Sequence, residues 1–163
     1  GKEIAKRADG FGMRVLYNCR HPHKEWEKEY NVSYADIMDL AEHSDYISIN
    51  VPLTKDTENL INKDMIHRMK KEAVLSNTAR SRIVDIDALA CALQKGRIRG
   101  ACIDVFDKEP CFDSVFVGID NAVLTPHTAS FTVENFKSMN ECAADNVVKF
   151  FDKTIEDRYI IIK

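Results

Sequence analysis

Apolar runs of two different periods take turns along this 163-residue chain, and that alternation limits its fold more than any other feature. Residues 2–9 read as a helix that stops at Gly10 and Gly12, and MRVLY (13–17) follows as a short strand. The polar stretch NCRHPHKEWEKE (18–29) reads as loop, and ADIMDLAEH (35–43) sets Ile37, Leu40 and Ala41 at helical spacing. YISINV (46–51) alternates Ile47, Ile49 and Val51 with polar Ser48 and Asn50 before Pro52 ends it. A short helix (63–69), the strand AVLSN (73–77) and the helix DIDALACALQK (85–95) come next, the last capped by Asp85 and stopped by Gly96. ACIDV (101–105) and AVLT (122–125) read as buried strands, and Val133, Phe136, Met139, Ala143, Val147 and Phe150 stripe a long final helix capped by Thr132. Strands interleaved with helices predict an α/β fold whose parallel sheet is covered on both faces.

In such sheets ligands bind beyond the carboxyl ends of the strands. Thr78, Ala79 and Arg80 follow AVLSN. Asp104 sits within ACIDV, with Phe106 to Pro110 after it, and Pro126 and His127 follow AVLT. Arginine, carboxylate and histidine thus leave three strand ends on one edge, the placement expected of a catalytic cluster. Bland alternatives exist for each: Arg80 as ion-pair partner of Asp85 or Asp87, Glu109 as a surface loop acid, His127 as a hydrogen-bonded strand-end residue.

With 23 basic and 26 acidic residues, the net charge of −3 gives no support to nucleic-acid binding. The local basic patches His67–Lys71 and Lys95–Arg99 lie near helix ends, where cations favour the negative end of the dipole. Five scattered cysteines form no C-x-x-C pair and read as reduced thiols of a cytosolic protein, with no metal site. No signal peptide and no apolar run of spanning length is visible, so a membrane association is not expected. The isolated Trp26 and the loop residues His21 and His23 carry no assignment.

Five segments in order, FGMRVLY, SDYISINVPLTKDTENLIN, MKKEAVLSNTARSRIVD, ALACALQKGRIRGACIDVFDKEP and DNAVLTPHTASFT, closely resemble the nucleotide-binding domain of the D-isomer-specific 2-hydroxyacid dehydrogenases. The resemblance spans residues 1–152. It implies a Rossmann-like doubly wound parallel sheet, an NAD or NADP cofactor, a small 2-keto or 2-hydroxy acid as substrate, and a homodimer. It also implies roles. Arg80 would grip the substrate carboxylate, because a planar guanidinium holds two oxygens in fixed geometry. His127 would give the proton to the keto oxygen, and Glu109 beside it would favour the imidazolium. Val51 and Pro52 would flank the adenosine half with Thr57 nearby; Thr78, Ala79 and Arg80 would line the nicotinamide side. Asp104 would approach the nicotinamide, and the turn from His127 to Ser130 would hold its carboxamide.

This chain departs from the family pattern at three places. It opens at Gly1, matching the last glycine of the dinucleotide fingerprint, so the first strand and most of the glycine-rich turn are expected to be missing from a sheet whose centre they would occupy. On that reading residues 153–163 lead back to an absent substrate domain, and the isolated piece binds nucleotide poorly. The run Tyr159–Ile162 would otherwise be an exposed apolar strand. Second, Asn18, Cys19 and Arg20 stand where the family has an aspartate for the adenosine ribose, which opens NADP use through Arg20. Third, Ser81 replaces a glycine after the arginine, and would be strained if that position needs positive φ.

Candidate substrates on this reading are glyoxylate, hydroxypyruvate, 3-phosphoglycerate and lactate-type acids. Formate-oxidising relatives are disfavoured because they carry glutamine where Glu109 stands. The alternatives are an NAD(H)-sensing corepressor-like protein, or an inactive fragment that keeps a dimer surface.

Overall fold

The computed structural model describes residues 1–160, in two compact units divided after His127. The first contains α1 (Lys2–Gly10), β1 (Val15–Tyr17), α2 (Lys24–Glu29), β2 (Val32–Tyr34), α3 (Ile37–His43) and β3 (Tyr46–Ile49). It continues through α4 (Lys63–Arg68), β4 (Val74–Asn77), α5 (Ile86–Gln94), β5 (Gly100–Ile103) and β6 (Ala122–Leu124). The second unit, Thr128–Lys163, carries α6 (Val133–Phe151) and a 3-10 turn at Asp157–Tyr159. Tyr159 therefore lies in a turn, while Ile161 and Ile162 of the expected apolar run lie outside the described residues.

Helix starts follow the local chemistry. Asp36, Asn62, Asp85 and Thr132 each accept a backbone N–H two or three residues on, capping α3, α4, α5 and α6. Such a cap contributes about 1 kcal/mol. At the end of α5, Gly96 takes φ 60°, and Arg97 N–H returns to the Ala92 carbonyl at 2.8 Å. That left-handed turn, cheap for glycine, satisfies a terminal helix carbonyl.

All strand pairs are parallel, in two sheets ordered β1–β2 and β3–β4–β5–β6. β1 does not pair with β3. Within the larger sheet, Ile49 pairs with Asn77, Asn77 with Ile103, and Ile103 with Leu124. Four strands thus end at one level.

One face of that sheet carries Ile47, Ile49, Leu75, Ala101 and Ile103, buried against Met65, Ile66 and Met69 near α4 and Leu89 and Leu93 of α5. On the opposite face Tyr46 is 65% exposed and Val123 61%. Strand β3 alternates apolar and polar residues, the mark of a strand buried on one side, and its pattern already contained this outcome.

The charged stretch read as loop contains α2, and β2 follows it, so both elements escaped the sequence reading. Their supports are tertiary. Tyr17 Oη accepts His23 N–H at 3.1 Å and lies 3.1 Å from Glu27 Oε1. The Trp26 ring stacks on His23 at 3.8 Å, with Lys2 Nζ 4.0 Å from its centroid. Along α6 no residue is buried, and its apolar stripe is open.

Candidate active site

The site is built on the aligned ends of β4, β5 and β6. Asn77, the last residue of β4, is 1% exposed and turns the chain after it. Its Oδ1 accepts Ala79 N–H at 3.0 Å and its Nδ2 donates to the Arg80 carbonyl at 3.0 Å. Asparagine suits such a turn because its amide imitates a peptide group. Arg80 emerges exposed, and Nη1 donates to the Ala79 carbonyl at 2.6 Å. Neither Asp85 nor Asp87 forms an ion pair with it; Asp85 is engaged in capping α5. The condition for strain at Ser81 is not met. Ser81 is not among the residues at positive φ, but opens the 3-10 turn Ser81–Ile83.

Just past β5, Asp104 is 4% exposed, accepts Thr125 Oγ1–H at 2.5 Å, and donates its N–H to the Asn77 carbonyl at 3.0 Å. Beyond it the chain folds back, so that Glu109 Oε1 accepts Phe106 N–H at 2.9 Å. Glu109 Oε2 lies 2.6 Å from His127 Nδ1. His127 N–H donates to the Thr125 carbonyl at 3.0 Å, and the residue has φ 54°. Backbone of that kind costs a non-glycine residue about 1–2 kcal/mol, which surrounding structure must offset.

The carboxyl of Glu109 is held below its ordinary value. The Phe106 N–H is the main cause, followed by the hydrogen bond to His127; partial burial opposes both, and the charges of His127 and Arg80 assist. Arg80, Glu109 and His127, distant in sequence, therefore share one electrostatic neighbourhood. With Nδ1 engaged by the carboxylate, Nε2 is the nitrogen left to exchange a proton with a ligand.

The other expected positions fall in several places. Gly1 is the N-cap residue of α1, and a helix N-terminus suits the phosphates of a dinucleotide. A Cβ on Gly1 would stand 3.7 Å from Cβ of Asn50, so this helix end adjoins the end of β3. Val51 is half-buried there, and Pro52 exposed. Thr57 binds its own loop, donating to the Pro52 carbonyl at 2.7 Å and accepting Thr54 N–H at 2.8 Å. Thr78 is exposed and Ala79 half-buried. Past β1, Asn18 donates to the Ala35 carbonyl at 2.8 Å, Cys19 Sγ lies 3.1 Å from the His21 carbonyl, and Arg20 is exposed. Ser130 belongs to the second unit, where its carbonyl accepts from Thr132 N–H and Asn135 Nδ2. The N-terminus of α1, the half-buried Val51 and the buried Asp104 fit an extended dinucleotide.

Sequence reasoning missed Asn77 and Thr125. An amide two residues before Ala79 at a strand end was a usable signal for the first. Thr125 offered none, because its acceptor lies 21 positions away.

Residues 1–129 match the family model described as D-isomer specific 2-hydroxyacid dehydrogenase, NAD binding domain. Glyoxylate reductase of Pyrococcus horikoshii is 43% identical over 150 residues, covering 92% of this chain and 45% of that protein. Glyoxylate/hydroxypyruvate reductase B of Serratia proteamaculans is 41% identical over 162 residues, 98% of this chain and 50% of that protein. Among solved structures, D-lactate dehydrogenase from Aquifex aeolicus complexed with NAD and lactic acid superposes with a TM-score of 0.84 at 31% identity, covering 94% of this chain and 51% of that one. The chain spans about half the length of the curated relatives it matches. Fold, strand-end geometry and these likenesses agree: the chain belongs to the D-isomer specific 2-hydroxyacid dehydrogenases and matches their NAD binding domain.

Proposed function

We propose that the protein carrying this chain reduces a 2-keto acid to its D-2-hydroxy acid, and catalyses the reverse reaction. The observation that supports this most directly is the 2.6 Å contact of His127 Nδ1 with Glu109 Oε2, in the field of Arg80. A bound nicotinamide supplies the hydride in reduction and receives it in oxidation. The guanidinium of Arg80 holds the substrate carboxylate by two parallel hydrogen bonds and fixes the plane of the keto group. The imidazolium of His127 gives the Nε2 proton to the keto oxygen, and solvent restores it. Glu109 stabilises that imidazolium and orients the ring through Nδ1. Thr78, Ala79 and Asp104 would hold the nicotinamide side of the cofactor, and Gly1, Val51, Pro52 and Thr57 its phosphate and adenosine side.

Glyoxylate and hydroxypyruvate are the first substrates in this reading, because relatives above 40% identity are named for reducing them. NADPH is the preferred donor. Asn18 brings no carboxylate to repel a 2′-phosphate, and exposed Arg20 supplies a cation for it. The active form is a homodimer in the cytosol, where the five free cysteines stay reduced.

Assays of the protein with glyoxylate, hydroxypyruvate and pyruvate, each with NADPH and NADH, test the reading. Turnover of at least one acid is expected, with D but not L product oxidised in reverse. Absence of turnover on every pairing would end it.

A further inference from the structure

The two basic patches of the sequence meet in space. A recess of 870 Å³ between α4 and α5 is lined by His67 and Lys71 from the first patch and by Lys95 and Arg97 from the second. The first patch divides: Arg68 and Lys70 pair with Glu42 and Asp45, leaving His67 and Lys71 at the recess. Lys63 adds a further cation. None of Lys63, Lys71 and Lys95 forms an ion pair among the described residues. Arg97 is anchored by donating to the His67 carbonyl, which ties the two helices together at one end.

Two carboxylates line the same recess, but Asp85 is directed to the Ala88 N–H that it caps. Three lysines and an arginine thus face two carboxylates in a chain of net charge −3. The floor is small and largely apolar, made by Ala88, Cys91 and Ala92 on one face of α5. No residue assigned to catalysis or cofactor binding contributes to it.

We propose that this recess binds a small organic phosphate, with its charged groups on the lysine rim and an apolar or planar body over Ala88 and Ala92. Several negative charges are needed, since single exposed ion pairs contribute little and are screened within about 10 Å at 0.1 M salt. The volume lies within the several hundred Å³ usual for small-ligand sites. The inference stands apart from the dehydrogenase reading.

Cys91, exposed in the recess, reports occupancy locally. Alkylation of Cys91 by iodoacetamide, followed by peptide mass spectrometry with Cys111 as internal control, is measured with ATP, AMP and inorganic tripolyphosphate. For a dissociation constant of about 1 mM, about 5 mM ATP slows alkylation about sixfold. ATP is expected to protect at lower concentration than tripolyphosphate, and AMP least. Lys71→Gln with Lys95→Gln should raise the protecting ATP concentration about tenfold, whereas the double arginine variant and Lys137→Gln should retain protection. No protection by ATP, equal protection by tripolyphosphate, or full protection in the double glutamine variant would each overturn the proposal.

Discussion

Nδ1 of His127 and Oε2 of Glu109 meet at 2.6 Å, although eighteen positions separate the two residues. The contact requires β5 and β6 to end level and the Phe106–Glu109 turn to fold back. Replacing Glu109 by Gln keeps the shape and removes the charge. Because general acid catalysis contributes about 10²–10⁴-fold, kcat for keto-acid reduction should fall about 100-fold, with a small change in KM. Steady-state kinetics check this, and an unchanged kcat would remove Glu109 from the mechanism.

The depressed carboxyl of Glu109 carries a pH dependence of defined sign. A folded-state value below the ordinary 4.5 means that its contacts are fully present above 4.5 and are lost as pH falls through the lower value. Carbon-13 NMR of the Glu109 carboxyl should give a midpoint below 4.5. His127→Ala should raise that midpoint only part of the way, because the Phe106 N–H is the larger cause. A midpoint at or above the ordinary value contradicts the geometry.

Asn77 holds Ala79 and Arg80 through two hydrogen bonds of 3.0 Å while almost fully buried. Asn77→Ala leaves the Ala79 N–H unpaired and the Arg80 carbonyl with only the 3.4 Å bond from Ile83 N–H, and should cost about 1–3 kcal/mol in a denaturant melt. KM for the keto acid should rise about tenfold with the misplaced guanidinium, more than KM for the nucleotide. Asn77→Asp, which keeps the acceptor for Ala79, should recover part of the stability. Equal effects on both KM values would assign Asn77 a structural role only.

Thr125 supplies a 2.5 Å hydrogen bond to buried Asp104. Thr125→Val preserves shape and deletes that donor, with an expected destabilisation of about 1–3 kcal/mol. Thr125→Ser should restore most of it. Thermal melts of the three proteins decide, and a valine variant as stable as wild type would show the bond to be dispensable.

The Asn18 position controls the choice of dinucleotide in the proposed function. Asn18→Asp should shift the ratio of kcat/KM for NADPH over NADH towards NADH by about tenfold, by repelling a 2′-phosphate. Arg20→Ala should lower the NADPH value and leave the NADH value nearly unchanged. A ratio that ignores both substitutions would place cofactor selection elsewhere.

The charged stretch 18–29 shows where local reading stops. Its composition suits loop and helix alike, and α2 forms there beside contacts with Tyr17 and Lys2, which lie outside it. Ser81 and His127 make the same point about backbone. Ser81 would be strained only at positive φ and does not adopt it, whereas His127 does, since φ depends on the turn and its hydrogen bonds as much as on residue type.

From the amino-acid order alone came the strand–helix alternation, the caps at Asp85 and Thr132, the family, and the three side chains proposed for catalysis. Those are local or pattern properties, carried by neighbours a few residues apart. Tertiary structure decided that Ile49, Asn77, Ile103 and Leu124 align, and that Glu109 turns back onto His127. It also brought Lys71 and Lys95 to one recess. Register and loop closure depend on hydrogen bonds and burial between segments distant in the chain, and these exist only once the sheet has formed.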